Sequence, residues 1–141
     1  MVIIVKPQRK AVKAHDSPEA KIQSECVAWL WNNYPETRGL YFCVNNENSR
    51  SKYENRMQQL RSGAQRKAMG IIAGVSDTIL LMSKRGYHGL CLEFKTETGR
   101  QSDAQKSWCQ TVEKSGYKYV VIRSLDSFKD IIKWYIGYDK D

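Results

Sequence analysis

The stretch Gly74-Val75-Ser76-Asp77-Thr78-Ile79-Leu80-Leu81-Met82, the turn Ser83-Lys84-Arg85-Gly86 and the run Tyr87-His88-Gly89-Leu90-Cys91-Leu92-Glu93-Phe94-Lys95 decide the fold. Two apolar runs separated by a short Gly-containing turn read as paired strands, Val75–Met82 and Tyr87–Lys95. Side chains alternate along a strand, so Leu90, Leu92 and Phe94 share one face and Cys91, Glu93 and Lys95 the other. Asp77 stands among Val75, Ile79, Leu80 and Leu81, where a charge is costly unless paired or metal-bound. If the strands pair, Asp77 and Glu93 converge near one sheet end. Two nearby carboxylates repel, and a hard divalent cation relieves that repulsion through oxygen ligands. The pattern also admits a plain Glu93–Lys95 surface pair beside an edge Asp, which contributes little to stability.

Working outward, Ser17-Pro18 opens a helix that runs to about Asn33 and stops before Tyr34-Pro35. Leu40–Asn45 reads as a strand and Asn46–Ser51 as a polar loop. Lys52–Ala68 reads as a helix, interrupted or ended near Gly63. After the polar loop Thr96–Gln101, Ser102 caps a helix with Gln105 at capping-box spacing, and Gly116 closes it. Tyr117–Arg123 is a Val-Val-Ile-rich strand, and Ser127 with Asp130 opens a final helix. This order predicts an α/β fold with a central mixed β-sheet flanked by helices.

Polar residues on buried faces of the helices add to the site. Gln105 aligns with Trp108, Cys109 and Val112, so it points inward or serves its capping box. In the first helix the inward stripe is Ile22, Cys26, Trp29, Leu30 and Asn33. Glu19 falls about 30° from its centre and Glu25 about 90° away, at 100° per residue. Glu19 therefore faces the sheet or complements the helix dipole, with Glu25 the flanking alternative.

The chain has 141 residues, which suits a basic arm over 1–16 and a single domain over 17–141. Lys and Arg number 23 against 15 Asp and Glu, a net charge of +8. The surplus is localised. Lys6, Arg9, Lys10 and Lys13 carry it near the N-terminus without an acid. Arg50, Lys52, Arg56, Arg61, Arg66 and Lys67 carry it later against Glu54 alone. Such localisation points to a polyanion such as nucleic acid. No apolar run approaches membrane-span length and no secretory signal is visible, so the expectation is a cytoplasmic protein without membrane association. Cys26, Cys43, Cys91 and Cys109 lack zinc-site spacing and read as reduced core thiols. With only His15 and His88, and no Gly-x-Ser-x-Gly, Ser-His and Cys-His triads are poorly supported.

Gly74-Val75-Ser76-Asp77, Leu92-Glu93-Phe94-Lys95, Gly99, Ser102 and Gln105 together resemble the PD-(D/E)XK nuclease signature. More narrowly the chain is similar to the virus-type replication-repair nuclease domain, VRR-NUC. Glu19 and Gln23 match that family's first helix, and Val44-Asn45-Asn46-Glu47 its strand-end polar position. Ser76 departs from the Pro often found before the Asp. The resemblance implies a restriction-endonuclease-like αβββαβ core and metal-dependent hydrolysis of DNA phosphodiesters. Asp77 and Glu93, helped by the Phe94 carbonyl, would hold Mg²⁺ or Mn²⁺. Lys95 would orient the nucleophile or offset phosphorane charge, Glu19 would complete the outer shell or a second metal site, and Gln105 would position water or phosphate. The 49–70 segment and Arg100 would grip DNA backbone. The resemblance further implies a homodimer on branched DNA such as Holliday junctions, in a bacterial or phage-infected cell. The alternative is a non-catalytic nucleic-acid-binding module on a degenerate nuclease fold. The C-terminal Trp134, Tyr135 and Tyr138 could serve a dimer face, with core packing the other use for Tyr135.

Overall fold

A computed structural model describes residues 17–44 and 56–137. The basic arm and the Asn46–Ser51 loop expected above lie outside these residues. The elements are α1 (Pro18–Asn33), a 3-10 turn (Pro35–Thr37), β1 (Tyr41–Cys43), α2 (Arg56–Ala68), β2 (Thr78–Leu80), β3 (Leu90–Phe94), α3 (Asp103–Lys114), β4 (Lys118–Ile122) and α4 (Leu125–Ile136). The sheet order is β1-β2-β3-β4, antiparallel across the first two pairs and parallel between β3 and β4. A parallel neighbour needs a crossover, and α3 supplies it. The mixed sheet flanked by helices expected from the sequence is therefore what forms.

The alternation in β3 sets the layers. Leu90, Leu92 and Phe94 face α1 and α4, where Cys26, Leu30, Tyr41, Leu80, Ile122, Ile132 and Tyr135 complete the main core. Phe128 is its aromatic hub, with Trp29, Tyr41 and Phe94 rings centred 6.1, 6.1 and 6.2 Å away. The opposite face carries Cys91 and Glu93 and is covered by α3, whose Trp108 packs edge-on against Tyr119 at 6.0 Å. Phe42 is 41% exposed and Leu81 49% exposed. Tyr41, on the other face, is buried.

Several boundaries differ from the sequence expectation. β2 begins at Thr78, so Asp77 precedes the strand rather than standing within it. The expected hairpin is reduced at its tip to an isolated Lys84–Tyr87 bridge. α2 passes through Gly63 uninterrupted, because one glycine costs only about 1 kcal/mol and intrahelical bonds continue around it. α4 starts at Leu125 because Ser124 is its N-cap, and Ser127 is the return partner of that capping box. Asn33, expected on the inward stripe, is exposed and donates to Trp29 O at 2.8 Å. Cys26 and Cys91 are buried and all four described cysteines are free, but Cys43 is exposed.

Gly74 fixes where α3 sits. Its φ is +86°, and a Cβ there would lie 2.4 Å from the Ala104 carbonyl carbon and oxygen. Only glycine allows the strand-leading loop to touch the first turn of α3. Gly70 has a similar φ of +88° with nothing in the way. Gly70→Ala should therefore cost about 1–2 kcal/mol for the left-handed backbone alone. Gly74→Ala should cost about 1–3 kcal/mol more, from the overpacking. Urea unfolding of the two variants measures the difference, and equal losses would remove the close approach as its cause.

Candidate active site

Three local devices bring polar groups to one end of the sheet. Strand alternation points Glu93 and Lys95 to the α3 face, and Lys95 Nζ lies 3.6 Å from Glu93 Oε1. The capping box of α3 orients Gln105: its Oε1 accepts from Ser102 N at 2.8 Å while its Nε2 donates to Glu93 Oε1 at 2.6 Å. Both uses of Gln105 thus hold at once. Asp77 Oδ2 accepts from the Phe94 amide at 2.7 Å, which locks the residue before β2 onto the end of β3. Ser76, where the related pattern often has Pro, is buried and donates from Oγ to Thr78 O at 3.1 Å, bracing the same turn.

Glu93 is 2% exposed, and its second oxygen, Oε2, has no hydrogen-bond donor. The Asp77 charge disfavours ionisation of Glu93. Two ionised carboxylates only accept, so they need a proton or a cation between them. Among the described residues no group of three or more His, Cys, Asp or Glu side chains converges as metal ligands. A metal here would rest on Asp77, Glu93, a backbone carbonyl and water. That set suits Mg²⁺, which typically takes one or two carboxylates and keeps several waters.

Glu19 is half-buried in the first turn of α1, outside that pair. Its carboxylate borders Gly99, where an added Cβ would lie 3.5 Å from Glu19 Oε1. Its charge still reaches Asp77 and disfavours ionisation there. Glu25 is exposed. Gln23 donates from Nε2 to Cys43 Sγ at 3.3 Å. Arg61 and Lys67 are exposed on α2, and Arg66 is half-buried. Arg66 and Lys67 line a cavity shared with Asp77 and Gln105. Arg100 is exposed just past Gly99. Asn45, Asn46, Arg50, Lys52, the Arg56 side chain and Tyr138 lie outside the described residues. Tyr135 is buried and donates to Met82 O at 2.7 Å, so it packs in the core. Trp134 is exposed beneath the Arg85 guanidinium, 5.0 Å from the ring centre.

Sequence reasoning missed Arg123. Its Nη1 lies 2.6, 3.3 and 2.7 Å from the carbonyls of Thr96, Glu97 and Gly99. It clamps the loop that follows Lys95 and borders Glu19. Gln101 likewise donates to the Tyr119 hydroxyl at 3.2 Å. Neither contact has a local spacing that a sequence could display.

A family model described as the VRR-NUC domain matches residues 17–126. Among solved structures, a "VRR_NUC domain protein" superposes with a TM-score of 0.69 and 23% identity, covering 86% of this chain and 89% of that one. At that identity the likeness is one of fold. No curated protein matches the sequence significantly. No helix among the described residues is long and apolar enough to cross a membrane.

Burial is the main force on both acids. It raises Asp77 above its ordinary value, against the Phe94 amide and Lys95, which pull the other way. Burial, then repulsion from Asp77, pushes Glu93 up to about 7. A carboxyl with a higher pKa in the folded chain binds more protons when folded. Its contribution to stability is then lost as pH rises from the unfolded Glu value near 4.3 towards about 7. In EDTA, the melting temperature should fall between about pH 5 and pH 8, and Glu93→Gln should flatten that slope. Thermal melts by circular dichroism read both, and parallel slopes would locate the coupled proton elsewhere.

Proposed function

The chain belongs to the VRR-NUC domain family, a nuclease family of the PD-(D/E)XK type, and from that premise we propose that it is a metal-dependent DNA endonuclease. The observation that carries this reading is the buried Asp77–Glu93 pair with Lys95 and Gln105 around it, left with one unsatisfied carboxylate oxygen. Asp77 and Glu93 would hold Mg²⁺ or Mn²⁺, with the Phe94 carbonyl as a third oxygen. A bound divalent ion supplies a polarised phosphate and a water of lowered pKa. Lys95 holds a positive charge beside the same pair, suited to orienting the nucleophile and offsetting charge that develops on the phosphate oxygens. Gln105 keeps the Glu93 carboxylate in one orientation through its own helix cap. Glu19 adds negative charge that acts on Asp77.

Arg61, Arg66, Lys67 and Arg100 are the described members of the backbone grip, with Arg50, Lys52 and Arg56 assigned to it from the sequence. These residue types give affinity and register rather than base reading. The reading extends to a homodimer on branched DNA, because two copies bring two sites to two strands. The exposed Leu40, Phe42 and Leu81 form the apolar surface a second copy would cover.

Incubation with branched and linear DNA in Mg²⁺, Mn²⁺ or EDTA tests the activity. Cutting should require the metal. Asp77→Ala should lower the rate on the order of a thousandfold, and Lys95→Ala by about a hundredfold or more. Tight binding without metal-dependent cutting of any substrate would instead favour a non-catalytic binding module. If about six phosphates are gripped, affinity should fall about a thousandfold between 50 and 200 mM salt. Sedimentation should return a dimer mass, and Phe42→Glu a monomer. A wild-type monomer at all concentrations removes the dimer.

A further inference from the structure

Beside the carboxylate pair lies a cavity of about 430 Å³ between α2, the loop before β2 and the first turn of α3. That volume falls within the range of about 300–1,000 Å³ typical of small-ligand pockets. Its walls divide by chemistry. Ile71, Ile72 and Val75 form an apolar side, while Arg66 and Lys67 bring cations. Asp77 also lines it, so the cavity is continuous with the pair described above. Ser102 and Ala104 line it from the start of α3. Gly74 holds this helix end against the loop, so the cavity is built by the same contact that fixes α3.

Apolar and cationic residues lining one small cavity match a nucleotide: a flat base and an anionic phosphate. A base stacked in a duplex has both faces covered by its neighbours and cannot also lie against Ile71 and Ile72. A base already unpaired can, and leaving the stack costs it least. Resting on the nuclease reading of the adjacent pair, we propose that the cavity receives one unpaired nucleotide of the bound DNA, next to the phosphodiester at Asp77 and Glu93. The preference for irregular DNA then comes from a pocket in each chain, apart from any assembly of two chains.

The test uses the full chain carrying Lys95→Ala, so that DNA stays whole. The probe is a duplex with one unpaired 2-aminopurine, whose fluorescence reports loss of stacking on neighbouring bases. The control is the same duplex with 2-aminopurine paired to thymine. The unpaired probe should brighten several-fold on binding and bind on the order of tenfold tighter, while the paired probe stays dim. Ile72 is 54% exposed, so Ile72→Asp should leave the melting temperature in place. It should abolish the brightening, and Ile72→Leu should retain it. Lys67→Glu reads the same pocket from its cationic side and should weaken the unpaired probe most. Equal responses from both probes would overturn the proposal, as would an undiminished response in both Ile72→Asp and Lys67→Glu. Absence of metal-dependent cutting by the wild type would count against the nuclease reading alone, because the probe responds without cleavage.

Discussion

A carboxylate on a fully buried strand is the constraint around which the rest is arranged. All five residues of β3 are buried, and Glu93 is among them. An isolated ionised group there would be very costly, so its neighbours must neutralise or solvate it. Lys95 and Gln105 serve one oxygen and nothing donates to the other. Each partner is set by a different local device: strand alternation for Lys95, a helix cap for Gln105, a backbone amide for Asp77. The glycine contact at Ala104 ties the last two together, because the loop that ends in Asp77 and the helix that carries Gln105 in its first turn touch there.

How much of this could be read from the sequence depends on the range of the interaction. Period-two alternation gave the faces of β3, and the Ser17 and Ser102 caps gave the starts of α1 and α3, since both signals are local. The expected start of α4 lies three residues late because Ser124 and Ser127 both qualify as caps, and the reciprocal box decides between them. The expected β2 is too long because Leu81 and Met82 continue the apolar run, although only Thr78–Leu80 have partners on both sides. For β1 both faces are apolar, so the residue pattern does not separate the burial of Tyr41 from the exposure of Phe42.

The site itself was legible in its residues and only partly in their grouping. Asp77, Glu93, Lys95 and Gln105 converge as their spacing on strands and helix suggested. Glu19 and Glu25 could be separated only by position: one borders Gly99 and the other is exposed. Arg123 left no trace in the sequence, because its acceptors are main-chain carbonyls of a loop more than twenty residues earlier. Backbone acceptors have no residue type, so such a clamp is invisible until the chain is folded.

The charge balance of the cleft links the two halves of the functional reading. Asp77 and Glu93 when ionised carry two negative charges, and Lys95 offsets one. The remaining negative charge would repel a phosphodiester that the proposed grip of Arg61, Arg66, Lys67 and Arg100 would draw in. A proton on one of the acids removes the deficit, and burial, which raises both acids, favours that form. A divalent cation removes it too, with one positive charge left over to meet the phosphate. The proton and the cation therefore compete for the same deficit. Raising the pH strips the proton and strengthens the case for the metal, so the burial that makes β3 costly to ionise also makes the carboxylate pair a place where a divalent cation gains most.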